Sequence, residues 1–169
     1  MYSLNASVPS AVAALATDVA ADLPAATPRT RGGHTLGVKR LGGGDHAAYA
    51  RYEAAVRDAL TGVAPFAVRV PGVRVFEEVP VGSAPVVYLR VESPGLVAVH
   101  ERLCERFDPV PDIEGDDYTP HVTVARGGNL DRARAAAARE VEPVEWTVEE
   151  LVFWDATREA TVSRLSLPA

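Results

Sequence analysis

The sequence contains one cysteine, one methionine and one lysine, and it has no long apolar run. The single cysteine, Cys104, excludes a disulfide within the chain, and its helical setting is typical of a small core residue. No apolar stretch approaches the ~20 residues that a membrane-spanning helix requires. The N-terminus lacks the basic start and apolar stretch of a secretory signal. We therefore expect a cytoplasmic protein with no membrane partner.

Signatures of metals and cofactors are also missing. The four histidines are scattered, and neither paired cysteines nor a His-Glu-x-x-His motif occurs. No Lys-Ser or Lys-Thr follows the glycine run at 42–44, so it is not a phosphate loop, and no dinucleotide fingerprint is present. The sequence thus predicts no metal and no cofactor. The net charge of −6 argues against general duplex binding, but a local positive groove can still bind a nucleotide or one RNA end.

The chain has the composition of an ordinary globular domain, with 47% hydrophobic and 24% charged residues. We expect one domain over residues 1–169 and a monomer. Periodicity predicts strands at 2–8, 34–41, 65–76 (broken near Pro71-Gly72), 85–92 and 121–125, and a closing hairpin of 146–154 and 160–167. It predicts helices at 10–23, from Asp45 to 60, from Ser93 to 107, and from Asn129 or Asp131 to 140. This mixture predicts an α+β fold with two sheets or one split sheet.

Two histidines, 87 residues apart, each open a short β-like run. In the second run, His121 and Thr123 point to one face of the strand, and the intervening valine points to the other. An imidazole and a hydroxyl side by side on a strand can bind one small anion. His34, in the N-terminal half, would supply a second group for proton transfer. This pattern indicates phosphodiester chemistry without a metal.

The stretch Tyr118–Arg126, with Pro120 before the histidine, strongly resembles the second signature of the two-histidine (2H) phosphoesterase superfamily. That superfamily includes RNA 2′,3′-cyclic phosphodiesterases and 2′-5′ RNA ligases, and its signature of His, an apolar residue and Thr or Ser occurs once in each half. The resemblance covers nearly the whole chain. It implies a bilobal fold, with two antiparallel sheets around a central groove, helices on the outside and two pseudo-symmetric lobes.

The resemblance also implies the reaction. The expected substrate is an RNA with a 2′,3′-cyclic phosphate end or a cyclic nucleotide, opened to a 2′-phosphate with His121 as base and His34 as acid. The sequence does not fix that order, and reversal exchanges the roles. Ligation is the same reaction with an RNA 5′-hydroxyl in place of water. The residues expected to contact the substrate are Thr123, Thr35, Arg126 and Tyr118.

The first motif departs from the pattern, because Thr35 follows His34 directly and the histidine lies one residue further from Leu41-Gly42 than in usual members. Either a bulge near one of the flanking glycines turns Thr35 into the groove, or this threonine does not bind phosphate. The departure favours an alternative function, a non-catalytic module that binds an RNA end or a nucleotide.

Other residues also allow two interpretations. Arg126 could pair with the acidic loop at 112–117, and Tyr118 could stack on a base or only pack. The sequence favours structural or solvent-facing positions for two further histidines, and it leaves three arginines either in the groove or on a solvated face. These histidines and arginines are His46, His100, Arg69, Arg74 and Arg90.

Overall fold

The computed structural model describes residues 1–30 and 32–169. Arg31, part of the loop predicted at 24–33, lies outside the described residues. The strands are β1 (Tyr2–Ala6), β2 (Thr27–Pro28), β3 (Leu36–Gly42), β4 (Phe66–Phe76), β5 (Val86–Glu92), β6 (His121–Arg126), β7 (Val144–Val148), β8 (Glu150–Asp155) and β9 (Ala160–Ser166). The helices are α1 (Ser10–Ala20), α2 (His46–Ala59), α3 (Pro94–Cys104) and α4 (Leu130–Ala137), with a 3₁₀ turn at Gly115–Asp117.

The strands form one antiparallel sheet in the order β7-β4-β5-β6-β3-β1-β8-β9, and β2 adds to β6. At the centre of the sheet, β3 and β6 share the single paired position Leu36 opposite Val122. The two predicted sheets are therefore the two halves of one sheet, joined at this pair. The α+β class is confirmed.

Helices cover one face of the sheet, and the core lies between them and that face. Helix α1 packs on β6, α3 on β3 and β4, and α4 on β4 and β5. Leu36, Val122 and Val124 are fully buried on the helical side. Because strand side chains alternate, their neighbours point to the opposite, open face of the sheet. That face carries the groove described below.

Local hydrogen bonds explain where three helices begin. Side-chain oxygens of Asp45, Ser93 and Asn129 accept from backbone N–H groups one turn into α2, α3 and α4, at 2.9, 3.1 and 3.1 Å. These three N-caps confirm the predicted starts, and they settle the last one in favour of Asn129. No helix among the described residues is long and apolar enough to cross a bilayer.

Three strand predictions need correction. Strand β3 begins at Leu36 rather than 34, because a turn closed by the Gly33 N–H and the Thr30 carbonyl (2.8 Å) precedes it. Strand β4 continues through Pro71-Gly72, where the register with β5 shifts instead of the strand ending. The predicted arm 146–154 is two strands, since β7 pairs with β4 in one half of the sheet and β8 pairs with β1 in the other.

Candidate functional site

The central pair of strands brings the predicted residues together. Since Leu36 lies opposite Val122 with both side chains in the core, the residues on either side of each point to the open face. On β6 these are His121 and Thr123. On the β3 side they are Thr35 and Gly37, and all four line the same groove.

The groove is a cavity of about 820 Å³, a size that suits a nucleotide-sized ligand. Its floor is the open face of β1, β3 and β6. One wall is the segment before β3, and the other includes the chain from Ile113 to Thr119. The end of β8 and the turn that follows it complete the lining.

His121 is held in a defined orientation. Its Nδ1 lies 2.7 Å from the Thr119 carbonyl, which only accepts, so Nδ1 carries the proton and Nε2 of the neutral ring is free to take one. The rings of Phe76 and Tyr88 lie edge-on to the imidazole, with centroids 5.4 and 5.5 Å away. Burial lowers the pKa of His121, the Thr119 carbonyl opposes that shift, and nearby arginines reinforce it. A neutral imidazole of this kind is suited to act as a base.

Three arginines line the groove together with this imidazole. The charges of Arg126, Arg40 and Arg29 each lower the pKa of His121. Burial lowers the pKa of Arg126 itself, and the other two arginines lower it further. All three line the groove together with Thr123. Among the described residues, none of the three has a carboxylate within 4.0 Å. Such a cluster is suited to bind an anion.

The carboxylates of the groove do not neutralise these arginines. Glu114 pairs with the buried Lys39 at 2.5 Å. The Glu159 side chain lies on the exposed turn between β8 and β9 and forms no ion pair within the described part of the chain. Arg126 does not pair with the acidic loop at 112–117, which corrects that alternative. Its guanidinium instead donates to the Val81 carbonyl at 3.3 Å.

Tyr118 lines the groove, but much of it is used in packing. Its ring stacks on His100, with centroids 3.7 Å apart and planes at 13°. Its hydroxyl donates to the Gly37 carbonyl at 2.7 Å. Burial and the charge of Glu114 raise the pKa of Tyr118. His100 is buried and bonded to the Val38 carbonyl, so it has the structural role that the sequence favours.

His34 is a mostly buried residue next to the groove. The residue is 8% exposed, whereas both of its neighbours in the chain line the groove. Its Nδ1 is buried with no hydrogen-bond partner among the described residues. Burial and, secondly, the charge of Arg29 lower the pKa of His34. Arg29 therefore lies within electrostatic reach of both imidazoles, and the proton-transfer role of His34 stays a prediction.

No pattern in the sequence predicts Arg29 and Arg40 as groove residues. Arg29 was assigned only to a loop, yet its backbone N–H donates to the Val124 carbonyl at 2.9 Å, which fixes it beside β6. The three arginines considered for the groove are not among its lining residues, and Arg69 and Arg90 pair with Glu92. Arg90 nevertheless lies directly opposite His121 in the pairing of β5 with β6. No group of three His, Cys, Asp or Glu side chains among the described residues is placed to hold a metal.

The sequence matches the model of one protein family. The model of the 2′-5′ RNA ligase superfamily matches residues 38–160. This range includes the His121 motif and begins after Thr35 and Gly37. No curated protein matches the sequence.

Several solved structures share the fold. TT0787 of Thermus thermophilus is 20% identical, with a TM-score of 0.70 over 98% of this chain and 97% of its own. E. coli LigT, in its complex with NADP+, is 16% identical, with a TM-score of 0.67 over 99% and 98%. Kluyveromyces marxianus Usb1 is 15% identical, with a TM-score of 0.58 over 99% and 97%. At these identities the likeness shows the fold alone.

Proposed function

Since this chain belongs to the 2′-5′ RNA ligase superfamily, we propose that it is a phosphodiesterase that opens a 2′,3′-cyclic phosphate on an RNA end or a nucleotide to a 2′-phosphate. The observation that carries this proposal is that Arg29 and Arg126 line one groove with His121 and Thr123 and that neither arginine has a carboxylate partner among the described residues. E. coli LigT has been solved with 3′-AMP, ATP and NADP+. A nucleotide ligand in the same fold supports the proposal.

In this reaction a water oxygen attacks phosphorus and the bond from phosphorus to the 3′ oxygen breaks. Nε2 of His121 takes the proton from water, because Nδ1 is committed to the Thr119 carbonyl. Negative charge grows on the non-bridging oxygens, where the Thr123 hydroxyl and the Arg126 guanidinium would stabilise it. Ligation would use an RNA 5′-hydroxyl in place of water.

The departing 3′ oxygen must receive a proton. His34 is the sequence-based candidate for this step, and it lies between Gly33 and Thr35, which both line the groove. Thr35, which lines the groove, would in either case face the same phosphate.

The second candidate function is a non-catalytic module that binds an RNA end or a nucleotide. The departure of the first motif supports it, because Thr35 follows His34 directly. Across the central strand pair, His121 and Thr123 face Thr35 and Gly37, so the two sides of the groove do not carry matching groups. A site with one imidazole can still bind a phosphate through its arginines and hydroxyls.

The test is turnover of adenosine 2′,3′-cyclic phosphate with EDTA present, by wild type and by His121→Asn and His34→Asn. His46→Asn, an exposed residue at the start of α2, is the matched control. We expect conversion to adenosine 2′-phosphate and a loss of about 10²–10⁴-fold in His121→Asn, with thermal unfolding unchanged. An equal loss in a folded His34→Asn supports the two-histidine mechanism. Calorimetric binding of 3′-AMP without turnover by wild type refutes the enzyme and supports the binding module.

A further inference from the structure

The net positive charge on the lining of the groove is larger than the single negative charge of one cyclic phosphate. Among the described lining residues, Lys39 and Glu114 cancel each other. This leaves three guanidiniums and the Glu159 carboxylate, a net charge of +2 on the described part of the lining. A 2′,3′-cyclic phosphate diester carries one negative charge. Resting on the function proposed above, we propose that the ligand carries a second phosphate group and that Arg40 binds it.

The strand register places Arg40 away from the other two arginines. Its backbone lies opposite Ser3 of β1, four residues along β3 from Leu36, or about 13 Å at ~3.3 Å per residue. Arg126 ends β6 and Arg29 is bonded beside the same end of that strand. Because β3 and β6 are antiparallel, Arg40 begins on the opposite side of His121 from those two.

Arg40 nevertheless lines the same groove, as does its pairing partner Ser3. The charge of Arg40 lowers the pKa of both His121 and Arg126. The cluster therefore has two poles, one formed by Arg126 with Arg29 and one formed by Arg40, with the imidazole between them. The first pole suits the reacting phosphate, and the second is free for another.

The buried ion pair fixes the backbone that carries this second pole. The Arg40 N–H donates to Oε1 of Glu114 at 2.7 Å, and Nζ of Lys39 donates to the Arg40 carbonyl at 2.9 Å. Both ends of the residue are thus bonded to groups that are themselves buried. A guanidinium on a fixed backbone, with no carboxylate of its own in the described chain, is available to donate to phosphate oxygens.

Two kinds of ligand contain a second phosphate of this kind. One is an RNA end, in which the internucleotide diester precedes the cyclic phosphate, and the other is a nucleotide with a terminal 5′-phosphate. The shared chemistry is a phosphate one nucleoside away from the reacting group. Separate substrates distinguish the two sources.

The experiment compares kcat/KM for adenosine 2′,3′-cyclic phosphate, its 5′-phosphorylated form and the dinucleotide ApA with a 2′,3′-cyclic phosphate. A hydrogen bond between charged groups predicts a gain of about tenfold or more for a substrate with the second phosphate. Arg40→Gln should abolish the gain, and Arg51→Gln, on the exposed face of α2, should retain it. A gain confined to the dinucleotide identifies RNA, and one confined to the 5′-phosphate identifies a nucleotide.

Equal kcat/KM for all three substrates, or a gain that survives in Arg40→Gln, would refute the second phosphate site while leaving the diesterase intact. Binding gives a readout that does not depend on turnover. Calorimetry should show adenosine 3′,5′-bisphosphate binding more tightly than 3′-AMP to wild type and equally to Arg40→Gln. If none of the cyclic phosphates is turned over and neither mononucleotide binds, the proposed function itself is wrong.

Discussion

Replacing Glu114 by glutamine should destabilise the protein severely. Glu114 and Lys39 are buried and 2.5 Å apart, and the carboxylate also accepts from the backbone N–H groups of Arg40 (2.7 Å) and Val110 (2.9 Å). The lysine makes two further bonds, to the carbonyls of Arg40 and Asp108. Glutamine keeps the shape and an acceptor oxygen, so the change removes the charge and leaves the ammonium buried without a counter-ion.

The expected loss is about 3–5 kcal/mol of unfolding free energy, the usual cost of leaving one charge of a buried pair alone. At an m-value of about 2 kcal/mol/M this lowers the urea midpoint by about 1.5–2.5 M. Glu101→Gln, on the exposed side of α3, is the control and should stay within about 0.5 kcal/mol of wild type. The double variant Lys39→Met/Glu114→Gln removes both charges and should recover part of the loss.

The effect should also depend on pH. Burial tends to raise the pKa of Glu114, but Lys39 and the two backbone N–H groups outweigh it, so the folded pKa lies below the ordinary value of 4.5. The stabilisation is therefore present above pH 4.5 and lost as the pH falls through the lowered pKa. Below that pH, wild type and Glu114→Gln should converge in stability. A Glu114→Gln variant no less stable than the Glu101→Gln control at pH 7 would refute this reasoning.

Two further predictions concern the groove. If His121 is the only imidazole that transfers protons, kcat/KM should fall on the acidic side only, at a pH below the ordinary 6.5, because burial lowers the pKa of His121 and the base must be neutral. A bell-shaped profile that also falls on its basic side, with both limbs below 6.5, would instead indicate His34 as acid, because burial lowers the pKa of His34 as well. Tyr118→Phe removes the 2.7 Å bond to the Gly37 carbonyl and should cost about 1 kcal/mol in urea unfolding with little change in kcat, whereas unchanged stability would show that this hydroxyl contributes nothing.

Features set by neighbouring residues were predictable from the sequence. The caps Asp45, Ser93 and Asn129 act within one turn of their own helix, so the helix starts follow from local patterns. The second motif was equally local, because alternation along one strand places His121 and Thr123 on the same face.

Features set by distant pairing were not predictable. Thr35 lies on the groove face because Leu36, its neighbour in the chain, pairs with Val122 of β6. The arm at 146–154 divides because its halves pair with different strands, β4 and β1. Arg29 and Arg40 come from two segments far from His121 in the sequence, so no motif predicts that the three residues line one groove.

The two strands at the centre of the sheet present different side chains to the groove, so a bound phosphate has different groups on its two sides. A site with the same imidazole and hydroxyl on both strands would bind a diester equally well in two opposite orientations. Here β6 presents His121 and Thr123, whereas the β3 side presents Thr35 and the bare backbone of Gly37. The two ester oxygens of a bound phosphate therefore lie next to different protein groups. Only one orientation of the phosphate brings the attacking oxygen to the imidazole. This asymmetry would select which of the two sugar oxygens leaves.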